Sequence, residues 1–169
     1  KMKIGILGGS FDPAHKGHLA ISKEAKRRFK LEKIIWAVTK KNPLKAESKT
    51  PISKKIKDCK KIIGMNSFIK VKFYENIIKS NKTIDLINYL KKDKKIEIFF
   101  LMGADNLINF HKWFRSKLIS QKCNIIVFDR HGYKKNSLKS KTFKRLNNKT
   151  LTFVEFKKVN ISSSQLRKI

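Results

Sequence analysis

Two glycines, a proline and two imidazoles stand within the segment Gly8-Gly9-Ser10-Phe11-Asp12-Pro13-Ala14-His15-Lys16-Gly17-His18, directly after the apolar run Met2–Leu7. The glycines let the backbone approach a ligand without Cβ interference, and Pro13 stiffens the loop. From Gly17 the spacing turns helical, so His18 falls near a helix start, where N–H groups and the positive end of the dipole face the loop. That setting favours phosphate. Two imidazoles there can donate hydrogen bonds to phosphoryl oxygens as charge builds in a transition state. A lone histidine in such a place usually caps the helix or fills a gap. A pair separated by one lysine and one glycine, after a Gly-Gly strand end, is harder to explain that way. The loop is neither a P-loop nor a dinucleotide fingerprint, because the second Gly-x-x-Gly half is missing and no Gly-Lys-Ser/Thr occurs.

The elements that must hold this loop follow from periodicity. Met2–Leu7 ends in Gly8-Gly9 and reads as a buried strand feeding a turn. Leu19, Ile21, Ala25 and Phe29 share one helix face, and Lys33–Val38 is a second strand. The polar stretch 40–53, with Pro43 and Pro51, reads as a loop. Ile56, Cys59, Ile62 and Ile63 mark a helix, Phe68–Phe73 a strand, and Thr83–Leu90 another helix. Ile96–Met102 is almost continuously apolar, as a central parallel strand would be, and Asn124–Phe128 repeats that character. Leu151–Phe156 alternates, while 131–150 is rich in lysine and asparagine and reads as a mobile surface excursion. Strands alternating with helices imply an α/β fold, a doubly wound parallel sheet with helices on both faces. In such folds ligands sit beyond the carboxyl ends of the strands. That rule points to Gly8–His18, Thr39–Lys45, Gly103–Asp105 and Arg130.

The totals bound the class. A chain of 169 residues with 40% hydrophobic content suits a single domain spanning 1–169. No run of about 18 apolar residues is present to span a membrane, and the N-terminus is too short an apolar run for a signal peptide. Lys1 before Met2 looks like a tag remnant. Cys59 and Cys123 lack CxxC spacing and read as reduced, buried thiols of a cytoplasmic protein. The formal net charge is +30, from 42 basic and 12 acidic residues. Only six of the basic residues are arginines (27, 28, 115, 130, 145 and 167), and the lysines scatter along the whole chain. Nucleic-acid contacts favour arginine and local clustering, so nucleic acid is disfavoured as a partner and compositional drift is the better account. The field would still steer polyanionic nucleotides inward. No feature assigns an oligomeric state.

The first loop resembles the H-x-G-H signature of the nucleotidylyltransferase superfamily, which implies its Rossmann-like fold. A second signature, I-S-S-S/T-x-x-R, is matched by Ile161-Ser162-Ser163-Ser164-Gln165-Leu166-Arg167. Ser162 is a fair N-cap for a helix whose N–H groups can hold phosphate, and Arg167 can fork onto the β- and γ-phosphates. Within the superfamily the chain is most similar to the bacterial nicotinate-mononucleotide adenylyltransferase family. Gly-Gly-Ser-Phe-Asp-Pro is similar to that family's opening, and Met102-Gly103-Ala104-Asp105 through His111-Lys112-Trp113 to its G-A-D…K-W segment. Arg130-His131-Gly132-Tyr133 resembles its R-P-G-F/Y, and Ser80-Asn81-Lys82-Thr83-Ile84-Asp85 its S-Y-T-x-D.

The resemblance implies transfer of an adenylyl group from ATP to nicotinate mononucleotide, with pyrophosphate leaving and Mg²⁺ carried in on the ATP. It implies that His15 and His18 serve the α-phosphate and bridging oxygens, and that Lys45 and Arg167 serve the leaving pyrophosphate. ATP would be held by Gly8, Gly9, Ser10, Phe11, His15, His18, Gly103, Asp105, Ile161, Ser162, Ser163 and Arg167. The acceptor would meet Lys45, Thr83, Asp85, Asp105, Trp113, Phe114 and Arg130. Within that set Trp113 would stack on the pyridine ring, and Thr83 with the Phe114 N–H would meet the carboxylate. An indole face is a sensible platform for an electron-poor ring, although core packing is the bland account of Trp113. No dedicated protein metal site is expected.

The chain departs from the family in places. P-P-H-K appears as Asn42-Pro43-Leu44-Lys45, the tyrosine of S-Y-T is Lys82, and the proline of R-P-G is His131. The family usually continues past the final arginine with a further helix, so the C-terminal tail is expected to be missing or shortened. Two other readings stay open. Phosphopantetheine adenylyltransferase shares both end signatures but typically carries T-x-G-H and R-G-L-R, neither found here. The chain could also be an inactive, lysine-rich nucleic-acid-binding relative, which would be supported if the two histidines could not reach a common phosphate, or if salt-sensitive RNA affinity exceeded ATP affinity.

Overall fold

The computed structural model describes residues 1–40, 49–129 and 151–155. Their elements run β1 (Met2–Gly9), α1 (Lys16–Phe29), β2 (Lys33–Val38), α2 (Ile52–Ile63), β3 (Ile69–Lys72), α3 (Glu75–Ile78), α4 (Thr83–Leu90), β4 (Ile96–Gly103), α5 (Ala104–Asn109), a 3₁₀ turn (Phe110–Lys112), α6 (Ser116–Lys122), β5 (Asn124–Asp129) and β6 (Leu151–Glu155). The strands form one sheet in the order β3-β2-β1-β4-β5-β6, and every pairing is parallel. The chain builds outward from β1 to β3 and then returns to the other side of β1. The strand order therefore reverses between β1 and β4.

Alternation along the strands divides the core in two. Ile4, Ile6, Ile35, Ala37, Ile98, Phe100 and Met102 face a layer with Ile84 and Ile87 of α4, Leu107 of α5 and Ile119 of α6. Leu7, Ile34, Trp36, Val38, Phe99 and Leu101 face the opposite layer, with Ile21 and Ala25 of α1 and Cys59 and Ile63 of α2. Successive strand side chains point to opposite faces, so near-continuous apolar strands require helices on both sides. Each fully buried large side chain contributes roughly 1.5–3 kcal/mol of transfer free energy. Trp36, at 0% exposure, is the largest of these. Its indole N–H donates to Ser22 Oγ at 2.8 Å, which satisfies the one polar atom it carries inward. At Gly5 a Cβ would come within 2.9 Å of Leu31 Cδ1 and 3.1 Å of Ile34 Cγ1, so the crossover from α1 packs directly on the β1 backbone.

The helices end as their sequences dictate. Lys30 closes α1 in the left-handed region (φ 54°), and Lys26, Arg27 and Arg28 occupy its last turn, where cations suit the dipole. Gly64 closes α2 at φ 56°. Glu24, buried on α1, is held at 2.5 Å by both Arg27 and Arg28, and these guanidinium groups keep its carboxyl below the usual range.

The expected strands and the doubly wound sheet are present. α2 begins at Ile52, inside the stretch read as loop, with Pro51 at the N-cap, where its missing N–H costs nothing. α3 has no counterpart in the periodic pattern because it is a single turn. The helix implied between β4 and β5 is divided into α5, the 3₁₀ turn and α6. The excursion at 131–150 lies outside the described residues. None of the described helices is long and apolar enough to cross a membrane.

Candidate active site at the switch point

The first loop leaves β1 at Gly9 and enters α1 through a reciprocal histidine cap. His15 is the N-cap, with extended backbone (φ −150°, ψ 175°). The Gly17 N–H donates to His15 Nδ1 at 3.0 Å, and the His15 N–H donates to His18 Nδ1 at 3.1 Å. This is a capping box built from two imidazoles, with each ring satisfying an amide that would otherwise lack a helical partner. The bland role weighed for these histidines is therefore real, and it does not compete with chemistry. A neutral imidazole whose Nδ1 accepts a hydrogen bond carries its proton on Nε2. Capping thus assigns both rings the same tautomer, with an N–H donor on the nitrogen that the cap does not use. The ring centroids lie 4.0 Å apart, close enough to serve one phosphate.

An aromatic stack supports the pair. Phe11 is buried at φ 50°, a region that non-glycine residues seldom occupy and that costs on the order of 1–3 kcal/mol. Its ring stacks on Trp36 (centroids 5.2 Å, interplanar 15°) and meets His18 at 4.6 Å. Ser22 Oγ, which accepts from Trp36, itself donates to the His18 carbonyl at 2.8 Å. β2 and α1 therefore fix His18 through Trp36 and Ser22. Neither residue was singled out from the sequence, since a tryptophan in an apolar strand and a serine in a helix look like core and cap.

Beside this loop, beyond the ends of β1 and β2, a cavity is lined by Gly8, Gly9, Thr39, Glu75, Lys82, Thr83 and Trp113, among others. A Cβ on Gly8 or Gly9 would make only ordinary contacts, the nearest being Phe100 Cζ at 3.6 Å and Phe11 Cε2 at 3.7 Å. Protein packing does not compel these two glycines, so the open space in front of them is what their lack of a side chain preserves. Trp113 sets one wall, edge-on to Phe100 (6.0 Å, 87°) and tilted against Phe110 (5.1 Å). Thr83, the first residue of α4, carries a hydroxyl that bonds to nothing among the described residues.

Thr39 organises the far wall. Its N–H donates to the Gly9 carbonyl at 3.0 Å, its carbonyl accepts from Lys55 Nζ at 3.1 Å, and its hydroxyl donates to the Glu75 carboxylate. The Lys40 N–H also donates to Glu75, at 3.4 Å. Lys55, only 1% exposed, thus ties α2 to the mouth of β2. Lys55 and Glu75 were missed by sequence reasoning, and Thr39 was marked only as the start of a region. The available signal was the rule that strand ends carry function, which had marked Thr39–Lys45 as a region.

The sequence-derived residues separate into groups. Gly8, Gly9, Thr83 and Trp113 share the cavity, and His15, His18 and Phe11 form the adjoining loop. Ser10 joins the two. Gly103 ends β4 at the N-cap of α5, whereas the Asp105 side chain lies outside the described residues. Asp85 is not among the lining residues; its Oδ2 accepts from Ser80 Oγ at 2.6 Å, and Ser80 Oγ accepts from the Lys82 N–H at 3.0 Å. In this structure Asp85 shapes the entry to α4. Phe114, 52% exposed, follows Trp113. Lys45, Arg130, Ile161, Ser162, Ser163 and Arg167 lie outside the described residues. Among the described residues no group of three His, Cys, Asp or Glu side chains gathers to hold a metal ion. Burial pushes the Cys59 and Cys123 thiols up to about 12, so neither is a nucleophile at neutral pH.

Comparison with known proteins agrees with this geometry. The cytidylyltransferase-like family profile matches residues 6–169. The probable nicotinate-nucleotide adenylyltransferase of Pelagibacter ubique (strain HTCC1062) is 68% identical over 169 residues, covering 100% of this chain and 94% of that protein. Its counterpart in Methylorubrum extorquens (strain PA1) is 37% identical over 134 residues, covering 78% of this chain and 72% of the other. Among solved structures, Plasmodium falciparum nicotinic acid mononucleotide adenylyltransferase complexed with NaAD superposes with a TM-score of 0.80 at 20% identity, covering 99% of this chain and 83% of that one. At that identity the likeness concerns the fold, while the sequence relatives carry the family. The chain belongs to the cytidylyltransferase-like family and, within it, to the nicotinate-nucleotide adenylyltransferases.

Proposed function

We propose that the protein transfers the adenylyl group of ATP to nicotinate mononucleotide, giving nicotinate adenine dinucleotide and pyrophosphate, a step in the biosynthesis of NAD. The observation that carries this is the pair of mutually capped imidazoles beside a cavity walled by Trp113 and Thr83. A 5′-phosphate oxygen of the acceptor attacks the α-phosphorus in line, one P–O bond forms, and the bond to pyrophosphate breaks. No protein nucleophile is required, so the protein acts by positioning and by stabilising charge. His15 and His18 donate from Nε2 toward oxygens of the α-phosphate. Lys45 and Arg167 take the charge of the leaving pyrophosphate. Gly8, Gly9, Ser10, Phe11, Gly103, Asp105, Ile161, Ser162 and Ser163 hold ATP, and Thr83, Asp85, Phe114 and Arg130 act with Trp113 on the acceptor.

Mg²⁺ would arrive on the ATP, held through phosphate oxygens and water. When bound it neutralises phosphate charge. The single domain spans 1–169, and the reaction's soluble substrates suit a cytoplasmic setting. The phosphopantetheine alternative gives way to the nicotinate reading because the sequence relatives are nicotinate-nucleotide adenylyltransferases. The two imidazoles lie 4.0 Å apart, which supports a shared phosphate over the inactive, nucleic-acid-binding alternative. The test is incubation with ATP–Mg²⁺ and each of nicotinate mononucleotide, nicotinamide mononucleotide and phosphopantetheine while pyrophosphate is measured. Release with nicotinate mononucleotide is expected, and release only with phosphopantetheine would overturn the reading.

A further inference from the structure

Of the described residues lining the cavity, two bear full charges, Glu75 and Lys82. Glu75 is engaged by the Thr39 hydroxyl and the Lys40 N–H at the end of β2. Lys82 is differently placed. Its backbone is fixed as the N-cap of α4: its N–H donates to Ser80 Oγ, and its carbonyl accepts from the N–H groups of Asp85 and Leu86 at 3.1 and 3.3 Å. Its side chain takes no part in the cap. The ammonium makes no ion pair among the described residues and stands 5.9 Å from the centre of the Phe114 ring. Arg115 lies 5.3 Å from the same ring but is not on the cavity wall.

We propose that Lys82 is a specificity-determining residue that selects an acceptor whose ring bears a carboxylate over one bearing an amide. The inference rests on the reaction proposed above. An N-ribosylated pyridine ring is a cation. With a carboxylate attached, the ring is a zwitterion, and a lysine that shares the cavity wall with Thr83 and Trp113 supplies a counter-charge. With an amide attached, only the ring's positive charge remains, and the same ammonium repels it. Lys82 therefore acts on both sides of the comparison, attracting one acceptor and disfavouring the other. Its exposure limits the size of each effect, because solvent screens the pair.

The experiment measures kcat/KM for nicotinate and nicotinamide mononucleotides with wild type, Lys82→Met, Lys82→Arg and Arg115→Met. The preference for nicotinate should fall about fivefold in Lys82→Met, the upper range for an exposed charge pair. Both acceptor KM values should contribute, in opposite directions, with the KM for ATP moving far less. Lys82→Arg should retain the preference. Added salt should narrow the wild-type ratio and leave that of Lys82→Met nearly unchanged. An unaltered ratio in Lys82→Met, or an equal loss in Arg115→Met, would overturn the inference while leaving the reaction intact. If wild type uses neither mononucleotide, the proposed reaction fails and this inference fails with it.

Discussion

His15 and His18 hold each other across the first turn of α1. The His15 N–H donates to His18 Nδ1 at 3.1 Å, and the Gly17 N–H donates to His15 Nδ1 at 3.0 Å. One nitrogen of each ring thus belongs to the helix, and the other is left with the proton. The glycine between them fits for a related reason: Gly17 is buried at N2 and supplies one of the capped amides. The same few residues that start the helix therefore set the tautomer that the proposed donation to phosphoryl oxygens needs.

This separates two effects that an alanine substitution would merge. Asn at the N-cap and Gln at N3 both preserve reciprocal capping. His15→Asn and His18→Gln should therefore melt close to wild type, yet lose at least about 10²-fold in kcat, as when one preorganised donor is removed. His18→Ala should lose the same activity and in addition about 0.5–2 kcal/mol of stability, because it strands the His15 amide. Melting curves and pyrophosphate release check both halves. A His18→Gln enzyme with nearly full kcat would show that the imidazole serves only as a cap.

The two cysteines predict an alkaline limit. Burial pushes both thiols up to about 12, whereas an unfolded thiol titrates near 8.5. The folded state therefore keeps protons that the unfolded state gives up. The associated stability is complete below about pH 8.5 and is lost as pH rises through about 12. Urea midpoints measured from pH 8 to 11 should fall steadily, and Cys59→Ser should flatten part of that fall. Thiol titration at pH 8 should find almost no reactive cysteine in native protein and two after unfolding. Prompt reaction of native protein would contradict the burial.

What was legible in the sequence depended on length and on redundancy of signal. β4 was plain because Ile98–Gly103 is buried throughout and needs no alternation to be seen. α1 was plain because its apolar spacing and its histidine start coincide. α3 was hidden because four residues cannot express a 3.6-residue period. The three pieces from Ala104 to Lys122 were hidden because each is only a turn or two long. In the site, His15, His18 and Trp113 drew notice because their types hint at chemistry, and they stand at the first loop and the cavity wall. Thr39, Lys55 and Glu75 act through contacts between residues up to 36 positions apart, which no local pattern encodes.

The excess of positive charge allows a clean negative prediction. Lys57, Lys60 and Lys61 are exposed on α2, and none of them forms an ion pair among the described residues. Changing all three to glutamine should alter kcat/KM for ATP less than about threefold at physiological salt, since exposed charges beyond a Debye length are screened. The cost in stability should be a few tenths of a kcal/mol, because Lys60 and Lys61 leave the last turn of the helix. RNA affinity measured across a salt series should be weak and fall steeply, as counterion release requires. Tight binding that persists at high salt would mean that the basic surface has been selected for nucleic acid.

Trp113 gives the most direct test of the acceptor site, and its packing complicates the obvious substitution. The indole lines the cavity while its edges and faces meet Phe100 at 6.0 Å and Phe110 at 5.1 Å. Trp113→Ala removes the proposed stacking platform and also part of the layer that α5 and α6 cover. A fully buried aromatic costs roughly 3–5 kcal/mol on truncation, and this half-buried one should cost about 2–3. Kinetics must therefore be read well below the mutant's melting temperature, and Trp113→Phe, which keeps a ring against Phe100, should restore most of the stability. Stacking on an aromatic side chain is worth about 1–3 kcal/mol per base, so loss of the indole should raise the acceptor KM at least about fivefold. The KM for ATP should move less than about threefold, because the histidine loop is held by Phe11 and Trp36 rather than by Trp113. Equal changes in both KM values, in protein shown to be folded, would place Trp113 in the core alone and require another platform for the pyridine ring.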